Sequence, residues 1–166
     1  METNAIMSDC GKYRYELHRT WDEKKKKVLF IMLNPSTADI HNNDLTTIRC
    51  MNFAKKWEYG GIMIGNIYPF RAKRPKDLKK WINDDSVDLK LYSSNVYHVQ
   101  DMVNQCDLTV CAWGGNHPGV PEMLEYTSDL HYLELCDDGL TPKHPLGNLS
   151  KDLVPKQYKL NTIIDG

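Results

Sequence analysis

The sequence predicts an α/β protein: a three-layer α/β/α arrangement with a central, mainly parallel four-stranded sheet and an added N-terminal edge strand. Three observations predict it. Apolar runs of strand length recur at residues 28–33, 61–67, 107–113 and 131–136. The first three read as buried runs rather than as alternation, as in strands covered on both faces. The intervening segments carry apolar residues at helical spacing, so strand and helix alternate and right-handed crossovers follow. Four polar loops then follow the runs: Asn34-Pro35-Ser36, Asn66-Ile67-Tyr68-Pro69, Trp113-Gly114-Gly115-Asn116 and, beyond the last, Lys143-His144-Pro145. In a parallel sheet these loops share one edge, where open α/β sheets bind ligands.

The elements are read in chain order. Residues 1–10 and 161–166 are expected to be loose ends of a single domain spanning residues 1–166. Residues 12–21 alternate aromatic and charged side chains, which suits an edge strand. The run Asp22-Glu-Lys-Lys-Lys-Lys27 is a charged turn. Val28 to Leu33 is the central strand, stopped by Pro35, which has no N–H for a ladder. A helix is predicted from Asp44 to Tyr59, with Asp44 as N-cap and Gly60-Gly61 as its end. Ile48, Met51, Phe53 (or Cys50), Ala54 and Trp57 should face the sheet. A short basic helix follows from Pro75 to Ile82, with proline suited to its first turn. Residues 87–106 and 120–128 are predicted helices, and 157–160 a last strand.

Composition narrows the function classes. The 166 residues are 41% hydrophobic and 26% charged, enough for a real core. A net charge of -1 gives no global case for polyanion binding. Residues 71–80 do: Arg71, Lys73, Arg74, Lys76, Lys79 and Lys80 stand against Asp77 alone. That stretch is either a phosphate-binding patch or a solvated helix face. The five cysteines are odd in number and lack C-x-x-C, which reads as reduced, buried thiols of an intracellular protein. With no signal peptide and no membrane span, the expected place is the bacterial cytoplasm, or the host cytoplasm for a phage-encoded protein. No metal-ligand spacing, P-loop, G-x-G-x-x-G or G-x-S-x-G occurs. Neither a metal nor a cofactor is expected, and oligomeric state is open.

Each loop residue has two readings. Asn34 is a turn-former before proline, or an amide that positions a water or a base edge. Ser36 and Thr37 cap a turn or bind phosphate. Asp39 caps a turn or acts as a general base. Asn66, directly after a buried strand, either ties loops together or reads a ligand. Tyr68 and Phe70 belong to the core or stack on a base. Arg71 pairs with a carboxylate or a phosphate. Trp113 and Asn116 sit on the third strand end, and His144 is a candidate acid/base or oxyanion donor on the fourth loop.

Met32-Leu-Asn-Pro-Ser-Thr-Ala-Asp39, Thr47-Ile-Arg-Cys50, Gly65-Asn-Ile-Tyr-Pro-Phe-Arg-Ala72, Ala112-Trp-Gly114 and Pro142-Lys-His-Pro-Leu146 resemble the markers of a bacterial and phage domain of unknown function, number 1643. That resemblance implies no activity. In order and placement, Asn34-Pro35-Ser36, Ile64-Gly65-Asn66, Ala112-Trp113-Gly114 and His144-Pro145-Leu146 also resemble the motifs of the uracil-DNA glycosylase superfamily. This second resemblance implies a DNA-directed hydrolase that flips a base out of the stack. Asn34 would position water, Asn66 would read the pyrimidine edge, and His144 would stabilise the departing base. Leu146 or Leu149 would wedge into the duplex. Ser36 would leave room for a 5-substituent where the uracil-specific branch carries a bulky tyrosine. Pro35, Thr37, Tyr68, Phe70, Trp113 and Asn116 complete the expected substrate site. Arg71, Lys73, Arg74, Lys143 and Ser150 would hold nucleic acid. The competing reading is a non-catalytic module that binds a nucleotide or nucleic acid in the same crevice.

Overall fold

The computed structural model describes residues 1–117 and 119–159. A single seven-stranded sheet forms its centre, in the order β1 (Glu2–Met7), β2 (Arg14–Thr20), β4 (Gly61–Asn66), β3 (Lys27–Met32), β5 (Leu108–Cys111), β6 (Leu130–Tyr132) and β7 (Lys156–Gln157). The neighbours β4, β3, β5 and β6 are mutually parallel, while β1, β2 and β7 run antiparallel to their neighbours. Three helices accompany it: α1 (Leu45–Lys56), α2 (Pro75–Ile82) and α3 (Leu89–Gln105).

Residue parity along β3 explains the layering. Val28, Phe30 and Met32 pack with Cys50, Phe53 and Ala54 of α1. Leu29 and Ile31 point the other way and pack with Val99 and Met102 of α3. A strand with partners on both faces must be apolar at every position, and five of its six residues are buried. The α1 start is fixed by Asp44, whose side chain accepts from Thr47 N at 2.7 Å. Pro75 occupies the first turn of α2, where its missing N–H costs nothing.

The sheet is wider than the four strands plus one edge expected from sequence. Residues 2–7, read as a loose end, pair with β2 as the true edge strand. Their alternation is muted because their inward-facing residues are only partly covered. The fourth strand starts at Leu130 and ends at Tyr132, since β5 offers it only Thr109 to Cys111 as partners. The expected helix at 120–128 shrinks to one 3₁₀ turn, Glu122–Leu124. Pro121 holds an extended conformation just before it, and Asp129 at φ 62° ends the segment. The last strand is Lys156–Gln157; the expected extension to Leu160 and the C-terminal loose end 161–166 lie outside the described residues. On α1, Ile48 is turned outward rather than toward the sheet, and Thr47 takes the buried position. All five cysteines are free thiols. Among the described residues no helix is long and apolar enough to cross a membrane.

Gly60 marks where the loop before β3 crosses the end of α1. A Cβ there would lie 2.0 Å from Asp22 O, while Gly60 N donates to Lys26 O at 2.8 Å. Backbone lies on both sides, so neither can yield cheaply. Gly60→Ala is expected to cost about 2–3 kcal/mol, read as a lower urea midpoint; an unchanged midpoint would contradict this crowding.

Candidate active site

The parallel strands deliver their loops to one edge. Met32 pairs with Asn66 across β3 and β4, and the ladder continues as Ile67 N donates to Met32 O and Tyr68 N to Leu33 O. On the other side Ala112 N donates to Ile31 O. The loops after β3, β4 and β5 therefore open side by side, and the 143–147 loop folds against them. Gly114 makes the last approach possible. Its φ is +81°, its N–H donates to Pro142 O at 3.0 Å, and a Cβ would sit 3.3 Å from His144 Cβ.

Between these loops lies a cavity of about 1120 Å³. Asn34, Ser36, Thr37, Asn66, Tyr68 and Trp113 line it, together with Asn116, His144 and Leu146. Lys73 and Arg74 also reach it from the start of α2. Several expected residues are used elsewhere. Asp39 accepts from His41 N and Asn42 N, bonds that hold its carboxyl below the ordinary range, so it caps a turn. Phe70 stacks on Trp81 with centroids 5.3 Å apart. Arg71 donates to Ser36 O, Gly11 O and Thr37 O, clamping the Asn34 loop from behind. Lys143 pairs with Glu134. Leu149 is a core residue beside α1, Ser150 caps Asp152 N, and Pro35 contributes its carbonyl to Asn34.

The three central polar residues are held in defined states. Asn34 Nδ2 donates to Pro35 O, Ala72 O and, more weakly, Phe70 O. Its donors are thus spent on backbone, and its Oδ1 is the group left for a ligand. Asn66 is 1% exposed, and its Nδ2 has no partner among the described residues. His144 Nδ1 accepts from Leu146 N at 3.1 Å. A neutral imidazole whose Nδ1 accepts must carry its proton on Nε2, the atom free to donate. Burial pushes the His144 pKa down, against the opposing pull of Asp44.

Sequence reasoning missed three wall residues. Arg14 reaches the cavity because Ile6 pairs with Glu16 and Met7 with Arg14, leaving Tyr15 as an extra, bulged residue. The bulge turns Arg14 to the α1 face, where Nη1 donates to Ala38 O at 2.7 Å. Asp44, read only as a cap, lines the cavity and also accepts from Ser36 Oγ. Burial alone would raise its pKa; bonds from Ser36 and Thr47 and the nearby Arg14 outweigh this and lower it. His117 stands 6.3 Å from the Tyr68 ring. Enclosed polar atoms without a partner among the described residues cluster here: Arg14 Nε, Asn66 Nδ2, Trp113 Nε1 and His117 Nδ1 all belong to cavity-lining residues. Buried polar atoms are almost always satisfied, so a group of unsatisfied ones on residues that share one cavity points to a ligand.

Residues 14–146 match the family described as Protein of unknown function (DUF1643). The chain belongs to this family. Its span begins at Arg14 and ends at Leu146, both on the cavity wall. No curated protein and no solved structure matches the chain. Within the DUF1643 span, the cavity walls come from three strand ends and the start of α1, so the family's shared core contains the site.

The lowered His144 pKa has a measurable sign. Between the folded value and the ordinary 6.5, the unfolded chain binds the extra proton, so stability falls as pH drops below about 6.5 and is fully present above it. Melting midpoints should therefore decline in that window, and His144→Gln should remove that component of the decline. A variant with the wild-type slope would refute a half-buried, neutral His144.

Proposed function

We propose that the chain is a nucleic-acid-directed N-glycosylase-like hydrolase that removes a pyrimidine base and has room for a 5-substituent, on a uracil-DNA glycosylase-like arrangement of strand ends. One observation carries the reading: Asn34, Asn66 and His144, from two loops and the end of β4, line one cavity, and Asn66 has an unused buried donor among the described residues. The cavity volume of about 1120 Å³ lies just above the ~300–1,000 Å³ range of small-molecule sites, enough for a whole flipped nucleotide.

The chemistry follows from the atoms left free. Asn34 Oδ1 holds a water against C1′ of the flipped sugar. The C1′–N bond breaks and its electron pair stays with the base. The negative charge that collects on the base's oxygens meets His144 Nε2–H and the Asn66 amide N–H, an oxyanion-type arrangement. The water oxygen bonds to C1′, and its proton is lost to the departing base anion or to solvent. An amide is too weak a base to drive attack, so bond breaking runs ahead of water addition. Leu146, 52% exposed at the cavity mouth, suits the gap a flipped base leaves in the duplex. Lys73 and Lys79 at the mouth suit phosphates.

One observation favours the non-catalytic reading. Asp44 is the one carboxylate among the described lining residues, and Ser36 and Thr47 already occupy it. The site thus has no free carboxylate to serve as general base. The deciding experiment incubates the protein with oligonucleotides bearing uracil, mismatched thymine or 5-hydroxymethyluracil, then treats them with alkali. Strand cleavage at the target base, lost in Asn34→Ala with DNA binding kept, is the expected result. Intact strands from a protein that binds the DNA would leave a binding module.

A further inference from the structure

We infer that Arg14 recognises an oxygen-bearing substituent on the substrate base, so that the preferred substrate is a pyrimidine carrying a hydroxyl, carbonyl or carboxyl oxygen at its 5-position. This deepens the base-removal reading and rests on it. Arg14 is 3% exposed, lines the cavity, and leaves Nε without a partner among the described residues. Among the described residues no carboxylate within hydrogen-bonding distance neutralises it; Asp44 and, more weakly, Asp39 act on it only through space, against Arg71 and Arg19. Burial lowers its pKa to about 10, which still leaves it charged at neutral pH. A buried guanidinium with an idle N–H is a costly group to keep. Nη1 has a structural role, donating to Ala38 O, and the idle Nε is accounted for when a ligand supplies the missing acceptor.

The location identifies which part of the ligand that is. Leu17 pairs with Ile64, so Arg14 and Asn66 lie further along the same two neighbouring strands. Arg14 is also electrostatic neighbour to Asp44, whose carboxylate accepts from Ser36 Oγ. Asn66 is assigned to the pyrimidine edge and Ser36 to the space beside its 5-position. Arg14, near both, is placed to donate to whatever the 5-position carries. Phosphate offers the same acceptor chemistry, but the mouth lysines Lys73 and Lys79 already serve it, whereas Arg14 is buried.

The test compares the wild-type protein with Arg14→Met and Arg14→Lys. Duplex and single-stranded oligonucleotides carry uracil, 5-methyluracil, 5-hydroxymethyluracil or 5-carboxyuracil. Base release and equilibrium binding are both measured, with melting curves to verify folding. The wild type should favour an oxygen-bearing base over 5-methyluracil at least tenfold. Arg14→Met, which leaves the buried Ala38 O without its donor, should melt lower than the wild type yet still cooperatively, and its ratio of release from oxygen-bearing bases to release from uracil should fall to about one. Arg14→Lys, with charge but no planar fork, should fall between. A preference that survives in folded Arg14→Met, or none in the wild type, overturns the inference while base removal stands. If no base is released from any oligonucleotide, the base-removal reading fails, and binding decides for Arg14. Tenfold tighter binding of oxygen-bearing bases, lost in Arg14→Met, supports the inference. Equal binding of all four, or stabilisation by inorganic phosphate that Arg14→Met abolishes, overturns it.

Discussion

A His144→Ala protein is expected to bind nucleic acid as well as the wild type and to release base about 10²–10³-fold more slowly, the usual loss for one oxyanion donor. The imidazole is set for one task. Its Nδ1 is held by Leu146 N–H, its pKa is pushed down by burial, and Gly114 has no Cβ to block its approach. Nε2–H is therefore the donor that the neutral ring presents to the cavity. His144→Gln, which keeps an N–H donor on a longer arm, should recover part of the lost rate. Single-turnover release on a saturating substrate measures this step apart from binding. An equal loss of DNA affinity in His144→Ala would mean that the ring grips the substrate rather than the transition state.

Asn66→Leu should have an opposite signature on folding and on function. The amide is 1% exposed on the cavity wall, and its Nδ2 has no partner among the described residues. Replacing an unsatisfied buried amide with an apolar side chain of similar shape is neutral or stabilising, by up to about 1 kcal/mol. Base release should nevertheless fall about a hundredfold or more, because the edge of the base loses its reader. Urea denaturation and the release assay on one preparation check both halves. A variant that is strongly destabilised would show that Asn66 ties the loops together, the alternative its position near a strand end leaves open.

The strand ends were legible because continuous apolar runs and the polar residues that stop them are local signals. Val28 to Leu33 is a strand with Asn34 just beyond it, and Asp44 caps α1 through Thr47 N. What sequence could not reveal depended on pairing. Residues 2–7 carry no strong alternation, so their strand exists only through its ladder with β2. Arg14 looks like an outward residue of an alternating strand until the bulge at Tyr15 turns it inward. Arg71 and Leu149 have the right chemistry for a nucleic-acid contact and sit in the right segments. Backbone carbonyls claim the first and the α1 core claims the second. Asp44 shows the reverse: a residue whose capping role was legible also walls the cavity, which only the convergence of Ser36 onto its free oxygen reveals.

The decisive measurement is a reaction in heavy-oxygen water, followed by mass spectrometry of both products from an oligonucleotide with one 5-hydroxymethyluracil. Hydrolysis at C1′ predicts a free, unlabelled base and one heavy oxygen on the abasic sugar. Heavy oxygen on a phosphate end, or an intact oligonucleotide recovered from a protein that holds it tightly, would contradict base removal at the Asn34–Asn66–His144 cavity.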